Sequence, residues 1–234
     1  MADADGSSKP RSATSSSYAC LALLGDRTMT ASQVIEEMST SGMRYLWPRA
    51  VSRLYEEPRH LCELGLAEVV GPKERGRGTC YRMTAAGQQA LRDWLEVPGG
   101  PPSFEYEALL KVYCSTHGSR EQLLLQLATM KDHIARGYAK LMKTSAQLAA
   151  DGVAGPSARM SVLLFDYSRQ ELDMRARWVL ETEREIARWP ADKPGIDEPE
   201  AVQRWLLTRH QGVVESLQRF RAGEIPAEPT GAPA

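Results

Sequence analysis

Between Trp47 and Thr84 the chain reads WPRAVSRLYEEPRHLCELGLAEVVGPKERGRGTCYRMT, and the order of signals in that stretch leaves few folds open. Val51, Leu54, Pro58 and Leu61, with Cys62 beside them, fall on one face of a helix at about 100° per residue. One amphipathic helix is therefore expected from Pro48 to Leu64, ended by Gly65. Leu66 to Val70 reads as an apolar strand, Gly71 to Gly78 as a glycine-rich loop, and Thr79 to Met83 as a second strand. Arg49, Ser52, Arg53, Glu56 and His60 lie on the face of the helix opposite the apolar one. Lys73, Arg75 and Arg77 fall within five residues of the loop, where Glu74 is the sole acid.

Helix, strand, basic hairpin, strand is the layout of a winged helix-turn-helix. Such a module sets its helix in the major groove of DNA and its hairpin tip against the backbone or in the minor groove. Arginine pairs with guanine edges and serine bonds bases or phosphates, so Arg49, Ser52 and Arg53 suit base reading. Tyr55, at the flank of that face, suits a phosphate or sugar contact. Lys73, Arg75 and Arg77 supply charge at the hairpin tip, and Thr79, opening the second strand, completes the candidate set. Upstream, Tyr18 to Gly25 reads as an apolar first helix. Thr30 with Gln33 is a capping-box pair opening a second helix, which carries Val34, Ile35 and Met38 and stops near Gly42. Downstream, Thr84 caps a helix through Trp94, with Leu91, Trp94 and Leu95 as packing residues.

The formal net charge of −1 means that any affinity for nucleic acid must come from a local patch. No apolar run is long enough to span a bilayer. Residues 1–17 lack the apolar core of a secretory signal and are expected to be a disordered polar tail. Cys20, Cys62, Cys80 and Cys114 are spaced as neither a disulfide framework nor a zinc knuckle, and point to a reducing cytoplasm. His60, His117, His133 and His210 have no nucleophile or acid at a recognisable spacing. Cys114 and His117 lack further ligands, and no glycine motif precedes a helix to cradle phosphate. No catalytic residue, metal or cofactor is expected.

The DNA-binding candidate occupies 18–97. Pro98-Gly99-Gly100-Pro101-Pro102 marks a linker, 98–103. Residues 104–222 read as almost wholly helical, and 223–234 as a loose Pro/Ala-rich tail. Leu127, Ile134, Leu141 and Leu148 recur every seven residues, with Met130 and Thr144 between; Phe165, Leu172, Val179 and Ile186 do the same. Two long helices, to about Ala150 and from about Ser157, are expected to pair antiparallel and to leave apolar surface for a second copy of the chain. A last helix, roughly Pro199 to Arg221, presents Val202, Leu206, Val213, Leu217 and Phe220. The fold class is mainly α: an N-terminal winged helix-turn-helix with a small β-hairpin wing, and a C-terminal long-helix dimerisation domain.

The ordered set Leu24-Gly25, Trp47-Pro48, Arg53-Leu54-Tyr55, Leu61, Gly65-Leu66, Gly76-Arg77 and Tyr81-x-x-Thr84-x-x-Gly87 resembles the N-terminal domain of PadR-type transcriptional regulators. The helical half from Phe104-Glu105-Tyr106 resembles the dimerising domain of the longer PadR subfamily. The chain departs from the family pattern at Thr30-Ala31-Ser32, at Pro58, and in the final helix, which extends beyond the usual family end. The resemblance implies a homodimeric regulator, usually a repressor, on an inverted-repeat operator, released by a small aromatic or planar effector held between domains. Trp94, Phe104, Tyr106 and Tyr113 near the junction, and Phe165, Tyr167 and Trp178 in the third long helix, could line such a pocket. Core packing is the plainer account of the same side chains. A rival of another class is a winged helix used as a protein-interaction or scaffold module with no role on DNA.

Overall fold

A computed structural model describes residues 12–25, 27–40, 47, 51–71, 78–151, 158–189 and 199–225. The chain divides into two compact units, 1–102 with 146–165 and 103–145 with 166–234. Among the described residues no helix is long and apolar enough to cross a membrane.

In the first unit, helix α1 (Ser15–Leu24) opens on a capping box in which Thr14 and Ser17 exchange hydrogen bonds. It therefore starts three residues before Tyr18, inside the segment expected to be a tail. Strand β1 (Met29–Thr30) leads into α2 (Ala31–Thr40), whose first turn is closed by Thr30 and Gln33. The Thr30 amide donates to Gln33 Oε1 at 2.9 Å, and the Gln33 amide donates back to Thr30 Oγ1 at 3.3 Å. Helix α3 (Val51–Glu63) follows, then β2 (Ala67–Val69), β3 (Cys80–Met83) and α4 (Ala85–Glu96). The antiparallel sheet runs β1-β3-β2, with Val69 opposite Tyr81 on one side and Met29 opposite Tyr81 on the other. The hairpin is as expected. The two-residue β1 is not, because it is too short to show alternation and forms by pairing with the free edge of β3. Cys20, Leu21, Leu24, Val34, Met38, Leu54 and Leu61 make the core. Pro58 does not break α3: its ring is fully buried, and only the hydrogen bond of the missing N–H is given up.

In the second unit a short α5 (Glu107–Tyr113) runs into a single 3-10 turn (Cys114–His117). Two long helices follow, α6 (Arg120–Asp151) and α7 (Ala158–Ala187), whose residues 146–151 and 158–165 belong to the first unit, and then α8 (Pro199–Arg221). Ser119 and Gln122 form another reciprocal cap ahead of α6. Lys131 meets Glu183, Gly137 packs on Leu172, and Tyr138 bonds Asp173, so residue numbers rise along one helix as they fall along the other and the pair is antiparallel. Leu127, Met130, Ile134, Val179 and Ile186 are buried in this pair with Ala108 and Leu123. Heptad positions Leu127, Ile134, Val179 and Ile186 are thus filled within one chain. The apolar side chains that remain exposed are others, among them Tyr167, Met174 and Trp178 on α7. The side chain of Leu148 lies outside the described residues.

Candidate nucleic-acid interface

Helix α3 packs against α1, α2 and β2, so less than half of its circumference is left to solvent. That width corrects the placement of His60, expected on the outer face, whose side chain is only 11% exposed. It also buries Glu57, whose carboxylate accepts a 2.7 Å hydrogen bond from the Ser17 hydroxyl. The outward strip carries Tyr55, half-exposed, with Glu56, Arg59 and Glu63. Arg59 Nε stands 3.3 Å from Glu63 Oε1. Charge along this strip therefore balances after the second turn. The positive end of α3 is its start, where the helix dipole adds to the charge of nearby arginines. Ser52 and Arg53 occupy the first turn of α3; their side chains, and all of Arg49, lie outside the described residues. Arg59, seven residues after Ser52 and so on the same face, is a candidate that the sequence pattern alone did not single out.

The exit from α3 is built to aim the wing. Gly65 adopts φ +71°, its amide donates to the Cys62 carbonyl at 3.0 Å, and the Leu66 amide donates to the Leu61 carbonyl at 2.9 Å. This pair of bonds is the Schellman arrangement, and it turns the chain sharply into β2. The β2–β3 ladder extends outward to the bond from the Val70 amide to the Cys80 carbonyl, and Arg82 pairs with Glu68 across it at 2.7 Å. Thr79, expected to open this strand, lies exposed one residue ahead of β3. Lys73, Arg75 and Arg77, at the tip, lie outside the described residues.

Tyr81-x-x-Thr84-x-x-Gly87 acquires a physical meaning at the base of the wing. The Thr84 hydroxyl donates to the Gly65 carbonyl at 2.8 Å and accepts from the Gly87 amide at 3.0 Å, while the Thr84 amide donates to the Leu66 carbonyl at 3.1 Å. One residue thus caps α4 and clasps the end of α3. A Cβ on Gly87 would overlap the Leu66 carbonyl oxygen and lie 2.9 Å from Met83 Cγ, so only glycine lets α4 pass this close. On the other side, the Trp47 indole N–H donates to Ser16 Oγ at 3.0 Å. The Cys20 thiol, buried in the same core, is pushed up to about 12 by burial, with Glu57 and Cys62 adding to the rise.

The seven aromatics considered for an effector pocket fall in different settings. Trp94 stacks on Tyr18, with centroids 4.9 Å apart. Phe104 and Tyr106 meet edge to face, and Arg175 Cζ lies 5.6 and 5.9 Å from their ring centres. The Tyr106 hydroxyl is 3.2 Å from His133 Nδ1. Burial raises the Tyr106 phenol, with the Arg175 charge opposing it. Tyr113 and Tyr167 stand exposed, Trp178 is partly so, and Phe165 is half-buried. Of the seven, Phe104 and Tyr106 are brought together. His133 and Arg175 join them through packing that no local spacing signals. Among the described residues no group of His, Cys, Asp and Glu side chains could hold a metal ion.

No family model and no curated protein matches the sequence. Solved structures do match the fold. A PadR-like transcriptional regulator from Bacillus cereus superposes with a TM-score of 0.64 at 11% identity, covering 74% of this chain and 98% of that one. Bacillus subtilis PadR in complex with operator DNA gives 0.59 at 20% identity, over 73% of this chain and 98% of that one. The same protein in complex with p-coumaric acid gives 0.56 at 20% identity, over 74% and 98%. The Vibrio cholerae virulence activator AphA gives 0.57 at 25% identity, over 74% of this chain and 96% of that one.

Proposed function

We propose that this chain, which has the fold of the PadR-like transcriptional regulators, is itself such a regulator. In this reading it is a cytoplasmic homodimer that binds an inverted-repeat operator and acts as a repressor. The observation that carries the reading is the clasp of Thr84 and Gly87, which ties the end of α3 to the base of the β2–β3 hairpin; in the sequence that helix opens among arginines and that hairpin loop carries Lys73, Arg75 and Arg77. Arg49, Ser52 and Arg53 read base edges, Tyr55 and Thr79 meet the backbone, and Lys73, Arg75 and Arg77 neutralise phosphates. The dimer contact uses exposed apolar side chains of the second unit such as Tyr167, Met174 and Trp178, since heptad positions such as Leu127 and Val179 are already occupied within the chain. Phe104, Tyr106, His133 and Arg175 are the best-supported lining for a small aromatic effector, in keeping with the p-coumaric acid complex of Bacillus subtilis PadR.

The test is a mobility shift of the purified chain on duplex DNA across a salt series, followed by sequencing of the bound fragments. Affinity should fall steeply with salt as counterions are released. The recovered sequences should carry two half-sites about one helical turn apart. Binding that ignores salt, or none at all, would favour the scaffold reading. A reporter driven from the recovered site decides repression against activation.

A further inference from the structure

Among the described residues, nothing covers the apolar face of α8 from Leu206 onward. Leu206, Val213, Leu217 and Phe220 are 55%, 66%, 47% and 71% exposed. Val202, itself partly buried, Leu206, Val213 and Leu217 form one stripe whose spacing is four, seven, four; Phe220 extends it by three residues and has Pro199 as its mirror position. This spacing reads the same in both directions about the midpoint between Arg209 and His210. A stripe with that property is complementary to itself when turned end for end, which is the requirement of a two-fold contact.

We propose that α8 pairs antiparallel with α8 of a second copy of this chain, with the two-fold axis passing between Arg209 and His210; the proposal rests on the homodimer reading above. Val202 then faces Leu217 of the second copy, and Leu206 faces Val213. The charges fit an uncharged partner better than an acidic or basic one. Both carboxylates of the helix, Glu200 and Glu215, lie on its far side. There they sit four residues before Arg204 and Arg219, the spacing of an intrahelical pair. Arg209, the arginine nearest the middle of the stripe, lies over the Trp205 ring with Cζ 5.0 Å from its centre, which draws its charge to the flank. The helix is roughly 35 Å long. Pairing two such stripes would bury on the order of 1,000 Å², just under the usual lower bound of about 1,200 Å² for a free-standing interface. The α8 pair therefore reinforces a dimer made elsewhere in the chain and does not create one alone.

Two measurements on the full chain test this. In a Cys114→Ser background, His210→Cys should form a disulfide between copies under mild oxidation, while Glu215→Cys, on the far side of the helix, should not. The double variant Leu206→Glu with Leu217→Glu should keep its helical content and raise the dimer dissociation constant by about tenfold or more in sedimentation. A dimer that is unchanged in the double variant, with no disulfide at 210, would overturn the α8 pairing and leave the homodimer reading standing. A parent chain that sediments as a monomer at every concentration would overturn both.

Discussion

Replacing Gly87 with alanine tests the clasp at the base of the wing most directly. The added Cβ would sit well inside the van der Waals contact distance of the Leu66 carbonyl oxygen, 3.0 Å from its carbon and 2.9 Å from Met83 Cγ. Met83 can shift, but the carbonyl cannot turn aside, because it accepts the Thr84 amide. Helix α4 must back away from the strand instead. Overpacking of this kind costs about 1–3 kcal/mol, and a fixed backbone obstacle belongs at the upper end. Alanine returns about 1 kcal/mol of helix propensity over glycine. The net loss is about 2 kcal/mol, or a fall of roughly 10 °C in the melting temperature of a unit this size. Two other helical glycines calibrate the result. At Gly137 the new methyl would meet the Leu172 side chain end at 2.7 Å, which can move, so a small loss or none is expected; at Gly212 nothing lies within 4 Å, so alanine should be neutral or stabilising. Calorimetry on the three variants would give the order Gly87, Gly137, Gly212 from most to least damaging. A Gly87→Ala chain that melts at or above the parent would refute the close approach of α4 to Leu66.

Further tests address the charges and the buried groups. Replacing Lys73, Arg75 and Arg77 together with alanine should weaken binding to all sequences alike and lower the salt slope by about 0.9 for each phosphate no longer neutralised; an unaltered slope would remove the wing from the backbone. Arg53→Ala should cost about 1–3 kcal/mol on the best site and much less on random duplex, whereas Arg59→Ala, on the same face but paired with Glu63, should cost less than Arg53→Ala on the best site. In native protein at pH 8 a thiol reagent should label exposed Cys114 quickly and Cys20 only after unfolding, since burial keeps the Cys20 thiol protonated; mass spectrometry showing equal rates would contradict the burial of α1. The Tyr138 phenol is pushed from 10.0 to about 12, by burial first and then by its bond to Asp173. Folding therefore favours its neutral form, and the stabilisation is complete below pH 10 and is lost as pH rises from 10 to 12. Tyr138→Phe should lose less stability across that window than the parent, as measured by urea unfolding at each pH.

What could be read in advance follows from how local each signal is. Gly65, Thr84 and the Thr30–Gln33 pair act over three or four residues, and each is where the sequence puts it. Pairings across distance were not legible. Strand β1 has two residues and depends on the edge of β3. Glu57 is buried because α1 and α2 flank α3 on both sides, which periodicity along α3 alone cannot reveal. The heptads of α6 and α7 identified the side chains that face a partner helix but not whose helix it is, and they face each other. The candidate DNA contacts were legible as residue types on a face. Only Tyr55 and Thr79 among them have described side chains, and both are exposed.

The contacts of α1 bear on the order in which the first unit can assemble. This helix packs on α2, α3, α4 and β3, so among these elements every partner of its buried face follows it in the chain, the last by about seventy residues. During synthesis α1 precedes every element it packs on, and Cys20, Leu21 and Leu24 stay uncovered until α2, α3 and the strands that share their core are made. Partial structures lacking α4 would leave Tyr18 without its stacking partner Trp94, and those lacking α1 would leave the Glu57 carboxylate to be buried without the Ser17 hydroxyl. The first unit is therefore expected to fold in one cooperative step, without a stable half-built state. Removing residues through Ser17 should slow that step far more than removing the polar residues ahead of Thr14.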